Sequence, residues 1–398
     1  MHAERSRIDR PLAGIRVLDL SRNIAGPYCT KLLAGMGADV IKIEQPGTGD
    51  PSRRTGPFPQ DIPHPEKSGL FLYLNTAKRS ITLNLESETG RDLLKKLVGS
   101  AALLVEDYEP SVLPGWGLEW ESMAAINPGL VMTSITAFGQ TGPYRDMKAE
   151  EITAFAMGGL MSQLGFPNMP PLKFGGSIVQ YSAGLSAFTG TMMALFHAEM
   201  AGAGQQVDVS WMEVVASGHF QSMAEYIYTN SVRGRNRTIM IFPCMDGYVN
   251  ASTQAHQWPG MPEVLGMPEL LEDPRFQTVE GRVRNADELE AMIIPWMIER
   301  TKEEIYHTGQ AAHLPWGYLA NAEDLVNSPQ YRAREFFVEL EHPEAGKQRY
   351  PGTPLRMGNF PWRHERAPLL GEHNGEIYTE LLDLTNSDLV RLRQSGVI

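Results

Sequence analysis

The sequence predicts an α/β protein with a parallel sheet covered on both faces, joined to a second, smaller domain. Three observations carry this expectation. Short apolar runs of strand type alternate with helical segments through the first half of the chain. The rhythm changes near Arg233, after which strand signals are brief and helices dominate. A chain of 398 residues also exceeds what one ordinary core organises, so two domains are expected.

Arg16-Val-Leu-Asp-Leu20 reads as a buried strand. A helix starts near Pro27, a residue suited to a first turn, and runs to Gly35 and Gly37. Val40-Ile-Lys-Ile-Glu44 is a second strand, and Ser80-Ile-Thr-Leu-Asn-Leu85 alternates as a third. Ser87 caps a helix that continues through Leu93-Leu-Lys-Lys-Leu97. Leu103-Leu-Val-Glu106 and Leu130-Val-Met-Thr-Ser-Ile135 are further strands. Long helical segments follow at about 150–164 and 179–200, then a strand at Gln205–Ser210 and a helix through the 220s. Gly247-Tyr-Val-Asn-Ala-Ser252 is a brief strand, and Thr301-Lys-Glu-Glu304 fits a capping box. The boundaries drawn are 1–228 with 334–398 for the large α/β domain and 229–333 for a small α+β domain.

A hydrophobic share of 42% and a charged share of 21% suit a soluble globular protein. The net charge of -12 argues against a nucleic-acid surface, while leaving room for a polyanionic ligand in a local basic pocket. With only Cys29 and Cys244, no disulfide framework is expected. The start of the chain, to Arg10, is polar and lacks an apolar signal core, so a cytoplasmic protein is expected. Tyr181–Gly202 is about as long as a membrane span, but His197, Glu199 and its small residues favour a buried core helix. No metal is expected, since His-Glu-x-x-His and Cys-x-x-Cys are absent and His197 and His219 stand singly. Ala34-Gly35-Met-Gly37-Ala-Asp-Val40 places helix, glycines and strand in the order of a turn, opposite to a dinucleotide fingerprint.

A series of motifs rises above composition. Pro11-Leu-Ala-Gly-Ile-Arg-Val-Leu-Asp-Leu20 is followed by Ala25-Gly-Pro27, and Gly37-Ala-Asp-Val-Ile-Lys-Ile-Glu44 by Gly47-Thr-Gly-Asp50. Asn75-Thr-Ala-Lys-Arg-Ser80, Val105-Glu-Asp-Tyr108, Gly139-Gln-Thr-Gly-Pro143 and Ala367-Pro-Leu-Leu-Gly-Glu-His373 complete it. In that order, from residue 11 to 373, they resemble the family III coenzyme A transferases, the formyl-CoA and carnitine-CoA transferase group. The resemblance implies a Rossmann-type large domain built from both chain ends, a small domain between them, and an interlocked ring dimer. It also implies CoA thioesters as substrates and no bound cofactor.

In that family an aspartate attacks the acyl-CoA thioester, and its position falls in Lys173-Phe-Gly-Gly-Ser-Ile-Val-Gln180-Tyr-Ser-Ala-Gly-Leu185. Gln180 stands there, and an uncharged amide with a delocalised nitrogen lone pair cannot act as that nucleophile. By the same resemblance Asn23, Ile24 and Ala25 offer backbone contacts to CoA, Leu83 an adenine wall and Lys148 a basic group. Glu151 keeps an acidic residue near the reacting carbonyl. Asp107 and Tyr108 occupy an Asn-aromatic pair, and the carboxylate would tend to repel phosphates. Gly115 stands where a phosphate-binding arginine is usual.

The resemblance therefore implies a non-catalytic subunit paired, as heterodimer or heterotetramer, with a related chain bearing the aspartate. A benzylsuccinate-type transferase with a succinyl-CoA donor is the member group it suggests. Nucleic acid and membrane are not expected partners. An active transferase using Glu151 or Glu150 is an alternative nucleophile reading. An acyl-CoA racemase would need a His-Asp pair where Glu150 and Gln180 stand. A structural or CoA-sensing module is the fourth reading.

Overall fold

Runs of valine, leucine and isoleucine form the centre of the larger of two units. In the computed structural model, which describes residues 10–232, 234–235 and 241–398, they become six strands. These are β1 (Arg16–Asp19), β2 (Asp39–Glu44), β3 (Arg79–Thr82), β4 (Leu103–Glu106), β5 (Val131–Thr136) and β6 (Gln206–Ser210). They form one wholly parallel sheet in the order β3-β2-β1-β4-β5-β6. The strand order reverses between β1 and β4, and ligands of such sheets bind beyond the carboxyl ends of the strands at that point.

Nine α-helices of this unit lie before residue 234 among the described residues. They are α1 (Ala25–Gly35), α2 (Gly69–Leu74), α3 (Glu88–Val98), α4 (Val112–Gly115), α5 (Trp120–Ile126), α6 (Glu151–Met157), α7 (Ile178–Ala201), α8 (Trp211–Ser217) and α9 (Phe220–Thr229). Strands β2 to β5 are buried almost throughout, which is why they read as continuous apolar runs. Successive residues still serve opposite faces. Val17, Val40, Leu103 and Val131 share a core with Ala25 and Leu33 of α1 and with Ala183 and Ala187 of α7. Leu18, Ile41, Leu104 and Met132 share the other with Leu93 and Leu97 of α3. Ser87 accepts from the N–H of Gly90 and caps α3.

The smaller unit comprises 165–171 and 234–334. It holds an antiparallel sheet of β7 (Ile241–Cys244), β8 (Gly247–Asn250) and β9 (Gly317–Tyr318). Its helices are α10 (Gly260–Leu265), α11 (Glu269–Glu272), α12 (Val279–Arg284), α13 (Ala286–Ile298), α14 (Lys302–Ala311), α15 (Ala322–Asn327) and α16 (Pro329–Ala333). Phe242, Trp258, Phe276, Leu289 and Trp316 centre its core. Thr301 and Glu304 form the capping box of α14.

Residues 335–398 belong to the larger unit. They supply the hairpin β10 (Phe337–His342) and β11 (Gly346–Pro351) and the helices α17 (Asn374–Leu382) and α18 (Asn386–Gln394). Arg363 N–H donates to the Gly35 carbonyl at 2.8 Å, and a Cβ on Gly35 would lie 2.0 Å from the Trp362 indole. Thr82 N–H donates to Asn374 Oδ1 at 2.8 Å, so α17 is fastened to the edge strand β3. Ile377 and Tyr378 of α17 enter the same core as α3.

Some local expectations change. The single helix expected over about 150–164 is divided, because α6 stops at Met157 and a 3-10 turn follows at Leu160–Gln163. Gly159 has φ 88°, and a Cβ on Gly158 would lie 2.5 Å from the side chain of Val215. The segment expected as a buried core helix is α7, and only one side of it is buried. Ala183, Gly184, Ala187, Thr191 and Ala194 face inward, while Leu185, Met193, Phe196 and Met200 are exposed. Among the described residues no helix is long and apolar enough to cross a membrane. The polar stretch over residues 1–9, and Arg233 itself, lie outside the described residues.

Candidate active site

The carboxyl ends of β1 to β4 border a crevice of about 250 Å³. Leu20, Arg22, Arg54, Leu83, Tyr108 and Trp116 are among its walls. Tyr108 and Trp116 meet edge to face at 5.5 Å, and the Arg22 guanidinium lies 4.3 Å from the Tyr108 ring centre. Leu83 supplies an apolar wall because the chain leaves β3 beside Glu44, whose carbonyl accepts from Leu83 N–H at 2.8 Å. Arg54 donates to the Thr48 carbonyl at 2.6 Å and has no carboxylate within ion-pair distance among the described residues. It is exposed at the mouth, where a phosphate could reach it.

Below the crevice lies a buried ionic network. Lys42 pairs with Asp50 at 2.8 Å, and Lys78 with Asp19 at 2.9 Å. Thr30 donates to Asp19 at 2.6 Å, and Lys42 donates to the Ser21 carbonyl. Burial works against charge on Asp19, but Lys42, Lys78 and the two hydroxyls of Ser21 and Thr30 outweigh it and hold the pKa at about 2. Arg53 grips Glu44 at 2.7 and 2.9 Å and Glu66 at 2.6 Å. Ser80 Oγ donates to Glu44 at 2.8 Å and accepts from Gly371 N–H at 3.0 Å. The motif residues Asp19, Glu44, Asp50, Lys78, Ser80 and Gly371 thus bond to one another or to Lys42 and Arg53, and stiffen the crevice floor.

Asp107 does not stand alone. It accepts from the Arg22 backbone at 2.7 Å and from Arg22 Nε at 3.1 Å. Burial raises its pKa to about 6 against the pull of Arg22. Its neighbour Glu106 is raised to about 7, also by burial, while accepting from the Tyr108 N–H. The resemblance implied that the Asp107 carboxylate would tend to repel phosphates. The Arg22 pair is net neutral, so that repulsion is offset.

The Gln180 position is the third residue of α7. Ser177, the residue before that helix, makes no side-chain cap bond. Glu151, the first residue of α6, caps α7 instead, through Val179 N–H to Oε1 at 2.9 Å and Gln180 N–H to Oε2 at 3.2 Å. Two N–H groups left over by the helix start are satisfied by one carboxylate. Tyr181 meets Tyr28 of α1 edge to face at 5.0 Å. Gly184, one turn on, allows this approach, since a Cβ there would lie 2.4 Å from the Ala25 carbonyl oxygen. Cys29 is buried, and burial first, then Asp19, pushes its thiol up to about 12, so it offers no thiolate.

Of the residues singled out from the sequence, Leu83 and Tyr108 line the crevice and Asp107 braces it from Arg22. Asn23 has φ 60° and its N–H is taken by Asp50 Oδ1 at 3.1 Å. That donor is therefore committed within the protein. Ile24 and Ala25 are buried at the start of α1. Lys148 pairs with Glu109, both exposed. Glu150 is the N-cap of α6 and shares a capping box with Thr153. Arg22, Arg54 and Trp116 were missed. The only sequence signal for Arg22 and Arg54 is that each follows a strand-end motif by a few residues. Among the described residues no group of three or more His, Cys, Asp and Glu side chains could hold a metal ion.

Comparison with known proteins is consistent with this geometry. The profile of CoA-transferase family III matches residues 12–374. The chain is 35% identical to succinyl-CoA--D-citramalate CoA-transferase of Chloroflexus aurantiacus, over 98% of this chain and 99% of that protein. It is also 35% identical to formyl-CoA:oxalate CoA-transferase of Streptomyces avermitilis, over 98% of this chain and 100% of the relative. A CAIB/BAIF family protein from Brucella suis shares the fold with a TM-score of 0.84 and 29% identity, over 94% of this chain and 100% of that one. Enzymes of this family work on CoA thioesters. With the parallel sheet, the crevice at its reversal point and a match spanning nearly the whole chain, the protein belongs to CoA-transferase family III.

Proposed function

We propose that this chain is the non-catalytic subunit of a family III CoA-transferase that moves CoA from a succinyl-type acyl-CoA donor to an organic acid. The observation that carries the reading is at the start of α7. By resemblance the nucleophile position falls on the amide Gln180, and among the described residues the carboxylate bonded to that turn is Glu151, which caps it with both oxygens. A carboxylate whose two oxygens each accept a committed N–H bond is a weaker attacking group, and moving it would uncap the helix. The similarity to a succinyl-CoA--D-citramalate transferase supports the donor class.

In this reading the adenosine end of CoA rests on Leu83 and Tyr108, with its phosphates near Arg22 and Arg54. Gly115 supplies no guanidinium, and loss of one charge-assisted contact weakens binding by about ten- to a hundredfold. CoA binding to this chain alone is therefore weak. The acyl chemistry belongs to a related partner chain bearing the aspartate, and both chains complete a heterodimer or heterotetramer.

The test is mass spectrometry of the purified chain after incubation with succinyl-CoA, with hydroxylamine trapping of any anhydride or thioester. No adduct is expected on this chain, and an adduct is expected on the partner's aspartate when the two are mixed. An adduct on Glu151 that disappears in Glu151→Gln would replace this reading with an active single-chain enzyme.

A further inference from the structure

The smaller unit contains a cavity of about 110 Å³ among α10, α12, α13 and the segment after β8. Its polar lining residues are Trp258, Arg282 and the hydroxyl-bearing Ser252 and Thr253. Trp258 is only 6% exposed, and its Nε1–H has no acceptor among the described residues. Buried donors without partners are rare in folded proteins. Arg282 lies with its guanidinium 4.4 Å from the Trp258 ring centre. It donates Nη1 to the Phe276 carbonyl at 2.8 Å, and among the described residues no carboxylate stands within ion-pair distance. Burial lowers its pKa, opposed by the field of Glu280. A guanidinium stays charged under such a shift and retains further N–H donors beyond the one in use.

The remaining wall is apolar, with Met261, Leu289 and Ile293. Among the described residues no carboxylate lines the cavity. A guanidinium, an indole and two hydroxyls among apolar side chains suit an anion with a short apolar tail. The volume leaves room for a carboxylate on a short alkyl chain.

We propose that this cavity binds a short-chain monocarboxylate, held by Arg282 and the Trp258 Nε1–H, with its alkyl tail against Met261, Leu289 and Ile293. The site lies wholly within the smaller unit and does not depend on the transferase reading.

The full chain labelled with 5-fluorotryptophan tests this, because its seven tryptophans give separate fluorine signals. Trp258→Phe identifies the Trp258 signal and removes the indole donor while keeping an aromatic ring beneath Arg282. Butyrate should shift that signal saturably, and sodium chloride or butyramide should not. In calorimetry, Trp258→Phe and Arg282→Gln should each weaken butyrate binding about tenfold or more. Arg282 also holds the Phe276 carbonyl, so if Arg282→Gln does not fold, Trp258→Phe alone decides. A Trp258 signal unmoved by butyrate, moved equally by chloride or butyramide, or butyrate affinity unchanged in Trp258→Phe would overturn the proposal.

Discussion

The backbone N–H of Gln180 donates to Glu151 Oε2 at 3.2 Å, across 29 residues of sequence. In the proposed non-catalytic reading, the one candidate for a substitute nucleophile is thus bonded to the backbone of the residue at the proposed nucleophile position. Glu151→Gln keeps an acceptor but loses the charge that answers the helix start. We expect a loss of about 1 kcal/mol in denaturant unfolding and faster hydrogen exchange at Val179 and Gln180. Unchanged exchange at those two amides would remove Glu151 from the capping role.

Gln180→Asp places a second carboxylate on the turn that Glu151 already caps. Like charges so close raise one of the two pKa values and weaken the new group as a nucleophile. We expect little activity from this change alone. Gly115 lies in open space, with nothing within 4 Å of an added Cβ, so Gly115→Arg is sterically free. It should tighten CoA binding about tenfold by calorimetry, and Gln180→Asp with Gly115→Arg should exceed either single variant in turnover. Equal CoA affinity in Gly115→Arg would show that the guanidinium does not reach the phosphates.

Lys31 of α1 is buried, donates to the Tyr73 carbonyl at 2.5 Å and lies 3.6 Å from the Tyr73 ring centre. Burial, then the like charge of Lys78, lowers its pKa to about 7. The unfolded chain keeps the ordinary value near 10.4. Between about pH 7 and 10 the unfolded state therefore binds a proton that the folded state lacks, and stability from this group rises with pH. Relative to Lys31→Met, the wild-type chain should gain up to about 1.4 kcal/mol per pH unit in that window. Parallel pH profiles for the two proteins would contradict this.

Much of this architecture was legible in the sequence. Strands such as Leu103–Glu106 are buried on both faces, so composition alone marks them. Ser87 and Thr301 announce their helices because a cap is a local bond. What could not be read were bonds between distant side chains. Arg22 and Asp107 are 85 residues apart, so a free acidic charge was expected where a neutral pair exists. Likewise nothing near Glu151 in sequence reveals that its carboxylate serves the start of another helix. The division at Gly158 depends on Val215, a neighbour only in the folded chain.

Gly184→Ala should separate α1 from α7. The added Cβ would lie 2.4 Å from the Ala25 carbonyl oxygen, which is backbone and cannot rotate away. A cost of about 1–3 kcal/mol is expected in thermal or denaturant unfolding. The control is Gly115→Ala, which meets open space and should be close to neutral.

The exposed apolar stripe of α7 bears on assembly. Phe196 and Met200 are 68% and 75% exposed, and Phe220 and Ile227 of α9 are 68% and 73% exposed. Patches of this kind mark contact surfaces. The chain should associate with itself or with its partner at micromolar concentration. Phe196→Asp should shift it toward monomer in light scattering. A wild-type monomer under those conditions would count against the paired assembly.

The bond between Thr82 and Asn374 spans 292 residues. On the ribosome, at about 5–20 residues per second, β3 waits about 15–60 s after emerging before α17 exists to cover it. During that interval the sheet's edge strand has no helix fastened along it, and an exposed strand edge invites pairing with other chains. Expression yield should therefore depend on chaperone supply and growth temperature more strongly than the equilibrium stability of the finished protein implies.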